Sequence, residues 1–248
     1  MFKRIGLVFA ILVIATLAFA AGQGEDDVYV FASDVAWAPM EFIDENGDVV
    51  GFDIDLMAAI AEEGDFEYEI RNTAWDGIFA GLANGQYDGV ISSVTITEDR
   101  KKAMDFSDPY INAGQVLIVR SETTGVSSLE DMAGMTVGVQ IGTTGAFAVE
   151  DVAGVETNTY DEIGLAVEDL MNGGVDGVVC DSPVAADYVL QNDNYKGELK
   201  IVGEPFTEEF YGIAVQKGDT ELLEKINAGL KAVIESGKRD ELIDKWLR

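Results

Sequence analysis

The sequence predicts an α/β fold with two lobes, each a mostly parallel sheet flanked by helices. The first observation is an internal repeat: Leu82–Ser93 aligns with Leu170–Asp181 at a constant offset, and the copies share Leu, Asn, Gly, Asp and Gly. The second is the alternation of helical segments with short Val- and Ile-rich strands, which is typical of βαβ units. Each copy is typical of a helix end, a glycine cap and a buried strand, so the pair predicts two such lobes.

The composition argues against several functional classes. The 248 residues include 16 Lys and Arg against 46 Asp and Glu, a net charge of −30. Nucleic acid is therefore not an expected partner, because its phosphates would be repelled. The chain has no histidine and one cysteine, Cys180, so it lacks the usual general base, an intramolecular disulfide and a cysteine-cluster metal site. We predict no catalytic residue, no metal and no cofactor.

Residues 1–20 predict a secretory signal peptide. Lys3 and Arg4 precede an apolar run from Ile5 to Leu17, and Ala18-Phe-Ala20 forms an A-x-A cleavage site. The apolar run is too short to favour a spanning helix, and no later segment approaches ~18 apolar residues. We therefore expect a mature protein that is soluble outside the cytoplasm.

The first lobe begins with a strand, a hairpin and a helix. Val28–Ala32 predicts a buried strand, and Asn46-Gly47 between two short apolar runs predicts a hairpin. The segment Asp53–Glu63 has helical spacing. Asp53 and Asp55 then fit first-turn charges that complement the helix dipole.

Later segments complete the pattern. Met135–Ile141 predicts a strand, and the Gly142–Gly145 turn follows it. The segment Thr220–Leu247 predicts a helix that ends before Gly237, followed by a short final helix through Trp246.

Polar residues follow the predicted strands at their carboxyl ends, where open α/β sheets bind ligands. Ser92 and Ser93 end the repeated strand of the first lobe, and Asp181 ends that of the second. Asp34 follows the first strand, and the Gly142–Gly145 turn follows another. We expect these groups to converge on a cleft between the lobes.

The residue types at these positions indicate an amino acid ligand. Arg100 follows a hydroxyl-rich segment, and its planar guanidinium suits a carboxylate. Asp181 supplies a negative charge for an ammonium group. Trp37 and Trp75 offer flat apolar walls, and Asp34 offers a polar group for the ligand side chain.

Each residue taken singly also has a structural interpretation. Arg100 would fit a surface ion pair with Asp99 or Asp105. The two aspartates that follow strands would fit helix N-caps, and the two tryptophans would fit the core. The functional interpretation depends on their joint placement at strand ends.

Over essentially the whole mature chain, the sequence resembles the periplasmic solute-binding proteins for polar amino acids that serve ABC importers. The resemblance is carried by Asp34 with Trp37–Phe42, Gly51–Leu56, Trp75 with Gly85–Asp88, Thr95–Tyr110, Val137–Thr144 and Asp181–Pro183. It implies a two-lobe periplasmic-binding-protein-like fold: lobe 1 from residues 25–108 plus 211–248, lobe 2 from 114–204, and hinge segments 109–113 and 205–210. It also implies a periplasmic protein that delivers its ligand to ABC importer membrane subunits, and we expect a monomer.

The resemblance implies how the α-amino and α-carboxyl groups are held. Arg100 holds the α-carboxylate with help from Thr95 and Thr144, and Ser93 and Asp181 meet the α-ammonium. The full predicted set of ligand-binding residues is Asp34, Trp37, Trp75, Ser92, Ser93, Thr95, Arg100, Gln140, Thr144 and Asp181.

The resemblance also implies how the ligand side chain is recognised. Trp37 and Trp75 sandwich it, and Asp34 and Gln140 contact its tip. Glutamine binders of this family have a lysine at the position of Gln140 and a histidine at that of Cys180, so this chain departs from their pattern. The absence of a second positive group disfavours glutamate and aspartate. We favour arginine or lysine over glutamine.

Two other classes of function stay open as alternatives. Rare members with this fold are dehydratases, and elimination would need a general acid from Asp34, Glu41 or Asp181. Turnover of a cyclic carboxylate would identify such an enzyme. A ligand-sensing module of a membrane receptor is the third class, although we expect no trailing transmembrane segment.

Overall fold

The computed structural model describes residues 28–248, and the predicted signal peptide lies outside them. The strands are β1 (Tyr29–Ser33), β2 (Ala36–Trp37), β3 (Glu41–Ile43), β4 (Val49–Val50), β5 (Tyr68–Asn72), β6 (Gly89–Val90), β7 (Met104–Phe106), β8 (Ile111–Ala113), β9 (Gln115–Arg120), β10 (Thr136–Gln140), β11 (Glu156–Tyr160), β12 (Gly177–Asp181), β13 (Leu199–Val202), β14 (Glu209–Tyr211) and β15 (Ala214–Gln216). The helices are α1 (Phe52–Gly64), α2 (Ile78–Ala83), α3 (Arg100–Ala103), α4 (Thr144–Glu150), α5 (Ile163–Asn172), α6 (Ser182–Ala186), α7 (Thr220–Glu235) and α8 (Lys238–Trp246). A 3₁₀ turn at Glu130–Met132 and a π-helical segment at Asp187–Gln191 complete the described elements.

Two five-stranded sheets form the two lobes. The sheet of lobe 1 has the order β5-β1-β6-β15-β7, and the sheet of lobe 2 has the order β11-β10-β12-β9-β13. In each sheet the first three strands run parallel. The fourth strand, β15 in lobe 1 and β9 in lobe 2, runs antiparallel to them and is the first strand after the chain crosses from the other lobe. Helices pack on both sheets, so the predicted α/β class with two lobes is confirmed.

The repeated segments perform the same structural task in both lobes. The helix of each copy ends just before a glycine with positive φ, Gly85 at 69° and Gly173 at 77°, where a side chain would be strained. The Asp88 carboxylate accepts a 2.8 Å hydrogen bond from Val30 N, and the Asp176 carboxylate accepts a 3.0 Å bond from Thr136 N. Each aspartate therefore fixes the start of the neighbouring parallel strand and, with it, the position of the polar residues at the strand's far end.

A separate two-stranded ribbon joins the lobes. Strands β8 and β14 pair antiparallel, and the chain passes from lobe 1 to lobe 2 through β8 and returns through β14. The exact residue limits of the lobes and hinge segments stay a prediction. The predicted hairpin at Asn46-Gly47 is present between β3 and β4, where the Asp44 carboxylate accepts bonds from Asn46 N and Asp48 N.

The C-terminal helices return to lobe 1. Helix α7 ends just before Gly237, and α8 follows and runs to Trp246, as predicted. Helix α7 packs along α1 through Leu222, Ile226 and Leu230, which are fully or almost fully buried. Within residues 28–248, every helix is too short or too polar to cross a membrane.

Candidate functional site

A cavity lies between the two lobes at the carboxyl ends of the strands. Its walls are formed by Asp34, Trp37, Glu41, Trp75, Ser92, Ser93, Thr95, Arg100, Gln140, Thr143, Thr144 and Asp181. All ten residues predicted to bind the ligand line this cavity. Across residues 28–248, His, Cys, Asp and Glu side chains form no cluster that would hold a metal ion.

Arg100 lines the cavity and bridges the two lobes. Its Nη1 donates to the carbonyl of Thr95 at 2.9 Å, and its Nη2 donates to the carbonyl of Gly142 at 3.4 Å. The guanidinium carbon lies 5.4 Å from the centre of the Trp75 ring. Burial lowers the pKa of Arg100 to about 10, and the charges of Asp181 and Glu209 oppose this shift. The group remains a cation at neutral pH.

The two aspartates that could pair with Arg100 at the surface pair with lysines instead. Asp99 pairs with Lys102, and Asp105 pairs with Lys217. The described part of the chain contains no ion pair to Arg100, so its charge is available to the cavity.

Asp181 lies at the end of β12, and its carboxylate lacks a full set of hydrogen bonds. It occupies the N-cap position of α6, yet its side chain makes no capping hydrogen bond. Within residues 28–248, its Oδ1 is buried without a donor. Burial raises the pKa of Asp181 to about 6. Such a carboxylate is a suitable acceptor for an ammonium group, which would provide both the charge and the missing donor.

Asp34 of lobe 1 meets Gln140 of lobe 2 across the cleft. Gln140 Nε2 donates to Asp34 Oδ2 at 2.9 Å and also to the carbonyl of Asp161 at 2.9 Å. Strand β2 follows Asp34, so it caps no helix. Burial raises the pKa of Asp34, while the hydrogen bond from Gln140 lowers it.

Trp37 and Trp75 are both buried, and both line the cavity. Their exposed fractions are 7% and 9%, so each packs into a lobe while part of its surface faces the cleft. Trp75 packs edge-on against Phe79 with ring centroids 5.0 Å apart, which fixes its orientation. The two tryptophans therefore belong to the cores of their lobes and also line the cavity.

Glu41 adds a third carboxyl to the cavity wall. It lies in β3, is completely buried, and accepts a 2.8 Å hydrogen bond from Ser92 Oγ. Behind it, the buried Asp53 accepts from Ser93 N at 2.7 Å. Ser93 has a φ of 49°, in the left-handed region that a side chain rarely adopts, so the Asp53 bond stabilises an unusual turn.

Thr95 and Thr144 direct their hydroxyl hydrogens away from the cavity. Both donate to Glu209 Oε2, at 2.9 Å and 2.7 Å. Gln115 Nε2 donates to Thr144 Oγ1 at 3.2 Å. A hydroxyl has one hydrogen to donate, so these two hydroxyls have no hydrogen left to donate to a ligand.

Several residues that support the cavity wall were not predicted as part of the site. The sequence suggests Glu41 only as an acid for the dehydratase alternative, and Asp53 only as a first-turn charge of a helix. Glu209 and Gln115 carried no signal in the sequence, because their role depends on contacts with residues more than 25 positions away. A signal was available for Thr143, which caps α4 by accepting from Ala146 N.

Comparisons with known proteins match this architecture. The model for bacterial extracellular solute-binding proteins, family 3, matches residues 29–248. A probable histidine-binding protein from Neisseria gonorrhoeae is 42% identical over 252 residues, which covers 96% of this chain and 93% of that protein.

Solved structures give the same result. An ancestral arginine-binding protein bound to arginine is 45% identical with a TM-score of 0.85, covering 89% of this chain and 98% of that one. An ancestral arginine-binding protein bound to glutamine is 45% identical with a TM-score of 0.84, covering 88% and 97%. The resemblance to the periplasmic amino acid-binding proteins is therefore confirmed, and the chain belongs to the bacterial extracellular solute-binding proteins, family 3.

Proposed function

We propose that the protein captures a basic L-amino acid between its lobes and delivers it to the membrane subunits of an ABC importer. The observation that carries the proposal is the distribution of charge along the cavity. Arg100, Asp34 and Glu41 all line the cavity, but the carboxylates that act on Arg100 are those of Asp181 and Glu209, whereas Asp34 and Asp53 act on Glu41. A ligand with a carboxylate at one end and a cation at the other is complementary to this arrangement. The relatives named for histidine and arginine support the same class of ligand.

The α-groups of the ligand bind at the Arg100 end. Arg100 pairs with the α-carboxylate, and Asp181 with Ser93 accepts the α-ammonium. Because the hydroxyl hydrogens of Thr95 and Thr144 are engaged with Glu209, these two residues contribute to carboxylate binding through their backbone N–H groups.

The ligand side chain extends between the two tryptophans toward Asp34 and Glu41. A guanidinium or ammonium gains cation–π contacts from Trp37 and Trp75 and charge pairing at its tip. A glutamate side chain would instead place its charge beside Asp34 and Glu41, where like charges cost several kcal/mol. Glutamine lacks this repulsion but gains no charge pairing, so we place it below arginine and lysine.

Binding specificity is tested on the mature chain with the twenty common amino acids. A thermal-shift screen followed by calorimetric competition ranks arginine, lysine, histidine, glutamine and glutamate. We expect arginine and lysine to bind most tightly, and tightest binding of glutamate would contradict the proposal. Incubation with a cyclic carboxylate tests the dehydratase alternative, and we expect no turnover because the relatives described above are named as binding proteins.

Delivery is tested separately in cells. We propose that the mature protein begins after Ala20, is a periplasmic monomer, and works with an ABC importer. Deletion of its gene should abolish high-affinity uptake of the labelled ligand, and the wild-type gene but not an Arg100→Ala gene should restore it. Uptake that persists unchanged in the deletion strain would contradict the role in import. Amino-terminal sequencing and light scattering check the cleavage site and the monomer.

A further inference from the structure

Glu41 and Asp53 form a pair of buried carboxyl groups directly behind the ligand cavity. Both residues are 0% exposed, and the Ser93 hydroxyl lies between them, 3.5 Å from Glu41 Oε2 and 3.4 Å from Asp53 Oδ2. Glu41 Oε1 accepts from Ser92 Oγ at 2.8 Å, while Asp53 Oδ2 accepts from Ser93 N at 2.7 Å and from Tyr110 Oη at 2.9 Å. Glu41 also lines the cavity, so the pair is in contact with whatever binds there.

Among residues 28–248, no lysine or arginine forms an ion pair with Glu41 or Asp53. The titratable groups that act on it most strongly are Asp34, from the end of β1, and Tyr110 and Tyr211, from the ribbon between the lobes. Each of these is an acid. Two adjacent carboxylates in such a site would repel each other strongly.

One acceptor of the pair also lacks a hydrogen-bond donor. Asp53 Oδ1 is buried, yet no N–H or hydroxyl group within residues 28–248 donates to it. A proton on the neighbouring carboxyl provides this donor. In agreement, burial and then the neighbouring charge of Asp53 raise the pKa of Glu41 well above its usual range, and burial raises the pKa of Asp53 to about 6. The geometry thus assigns a proton to Glu41, which donates to Asp53.

We propose that Glu41 and Asp53 share one proton before ligand binds, and that a cationic ligand side chain displaces this proton into solution. The inference rests on the proposed function, because it requires a basic side chain at the Glu41 end of the cavity. On binding, the O–H bond of Glu41 breaks, a buffer base accepts the proton, and an N–H group of the ligand cation becomes the donor to the new carboxylate. Capture of a basic amino acid is thereby coupled to release of a proton, whereas capture of a neutral one is not.

Calorimetry in buffers of different ionisation enthalpy counts the protons released. Arginine is compared with citrulline, which has the same α-groups but a neutral urea at its tip, so any proton released at Asp181 cancels. We expect arginine to release about one more proton than citrulline at pH 7, and its affinity to rise more steeply with pH than that of citrulline around neutrality. Equal proton release for the two ligands would overturn the inference.

Two variants test whether the released proton comes from Glu41 and Asp53. In Glu41→Gln, proton release with arginine should fall to the citrulline value. In Asp53→Asn, the steep region of the affinity profile should move to lower pH, because Glu41 loses a like charge. An unchanged profile in both folded variants would overturn the assignment, while the control Asp193→Asn, at an exposed position outside the cavity, should leave the release intact. If neither arginine nor lysine binds, the proposed function fails; if arginine binds without excess proton release, only this inference fails.

Discussion

Thr144 Oγ1 donates a 2.7 Å hydrogen bond to Glu209 Oε2, and this bond connects the first turn of α4 in lobe 2 to the ribbon strand β14. The same carboxylate oxygen accepts from Thr95 Oγ1 of lobe 1 at 2.9 Å. Glu209 therefore holds one hydroxyl from each lobe at the point where the chain crosses between them. Both hydroxyls can reach one oxygen only when the lobes lie close together, so we infer that Glu209 stabilises this closed form.

Replacement of Glu209 tests this stabilisation. In Glu209→Ala we expect arginine to bind about tenfold more weakly, because two hydrogen bonds to a charged acceptor are lost from the closed form. Glu209→Gln keeps an acceptor and should retain most of the affinity, as should the control Glu208→Ala at the exposed neighbouring position. Calorimetry measures the affinities. Tighter binding by both Glu209 variants would instead show that repulsion between Glu209 and the ligand carboxylate dominates.

Arg100→Ala should weaken binding of every amino acid by about 2–5 kcal/mol. The reason is that the ligand carboxylate would be left buried without its partner. Arg71→Ala is the matched control, since Arg71 is exposed and pairs with Glu69 outside the cavity. Calorimetric titration of both variants with arginine gives the comparison. Equal affinities for wild type and Arg100→Ala would remove Arg100 from the site.

Asp181→Asn should weaken binding of an amino acid far more than binding of its deaminated analogue. The analogue lacks the ammonium group that we place at the unsatisfied Oδ1 of Asp181. The ratio of the two affinities, measured by competition, isolates this contact. A similar loss for both ligands would show that Asp181 does not recognise the ammonium group.

The same substitution should stabilise the protein measured without ligand, in a pH-dependent manner. Burial raises the pKa of Asp181 from 3.8 to about 6, so the folded chain binds this proton more tightly than the unfolded chain. The contribution to stability is full below pH 3.8 and is lost as the pH rises through about 6. Asp181→Asn should therefore unfold like wild type at pH 4 and be more stable by up to about 3 kcal/mol at pH 7.

Urea unfolding at the two pH values measures this difference in the free energy of unfolding. The exposed Asp193→Asn provides the control and should show no such dependence. A stability gain that is the same at pH 4 and pH 7 would contradict the expected role of the buried charge.

Asp34→Asn should change the ratio of the affinities for arginine and glutamine more than it changes the affinity for glutamine. Asn keeps an acceptor for the hydrogen bond from Gln140, which is 2.9 Å long in the wild-type protein. It removes a charge, so arginine should lose about tenfold or more in affinity while glutamine changes little. Competition between the two amino acids measures the ratio. An unchanged ratio would place the cationic tip elsewhere in the cavity.

Much of the site was predictable because strand ends are local features of a sequence. The repeat located Ser92, Ser93 and Asp181 at equivalent ends of β6 and β12, and the parallel sheets bring such ends to one edge. Asp53 shows the limit of this reasoning. Its position in the first turn of α1 was predicted, but its burial against Ser93, 40 residues later, was not.

The sequence by itself determined the α/β class, the two lobes and the main elements, because these follow from hydrophobic periodicity, turn chemistry and the residues at strand ends. It also located the ten predicted residues of the cavity wall, of which Thr95, Gln140 and Thr144 came from the resemblance to the family. Only the tertiary structure decided which partners those side chains have. Asp34 bonds to Gln140, Thr144 to Glu209, and Asp53 to Ser93, each across a separation that no local pattern encodes. Hydrogen bonding and the sharing of protons depend on distance and burial in three dimensions, so the electrostatics of the site appear only when the two lobes are folded together.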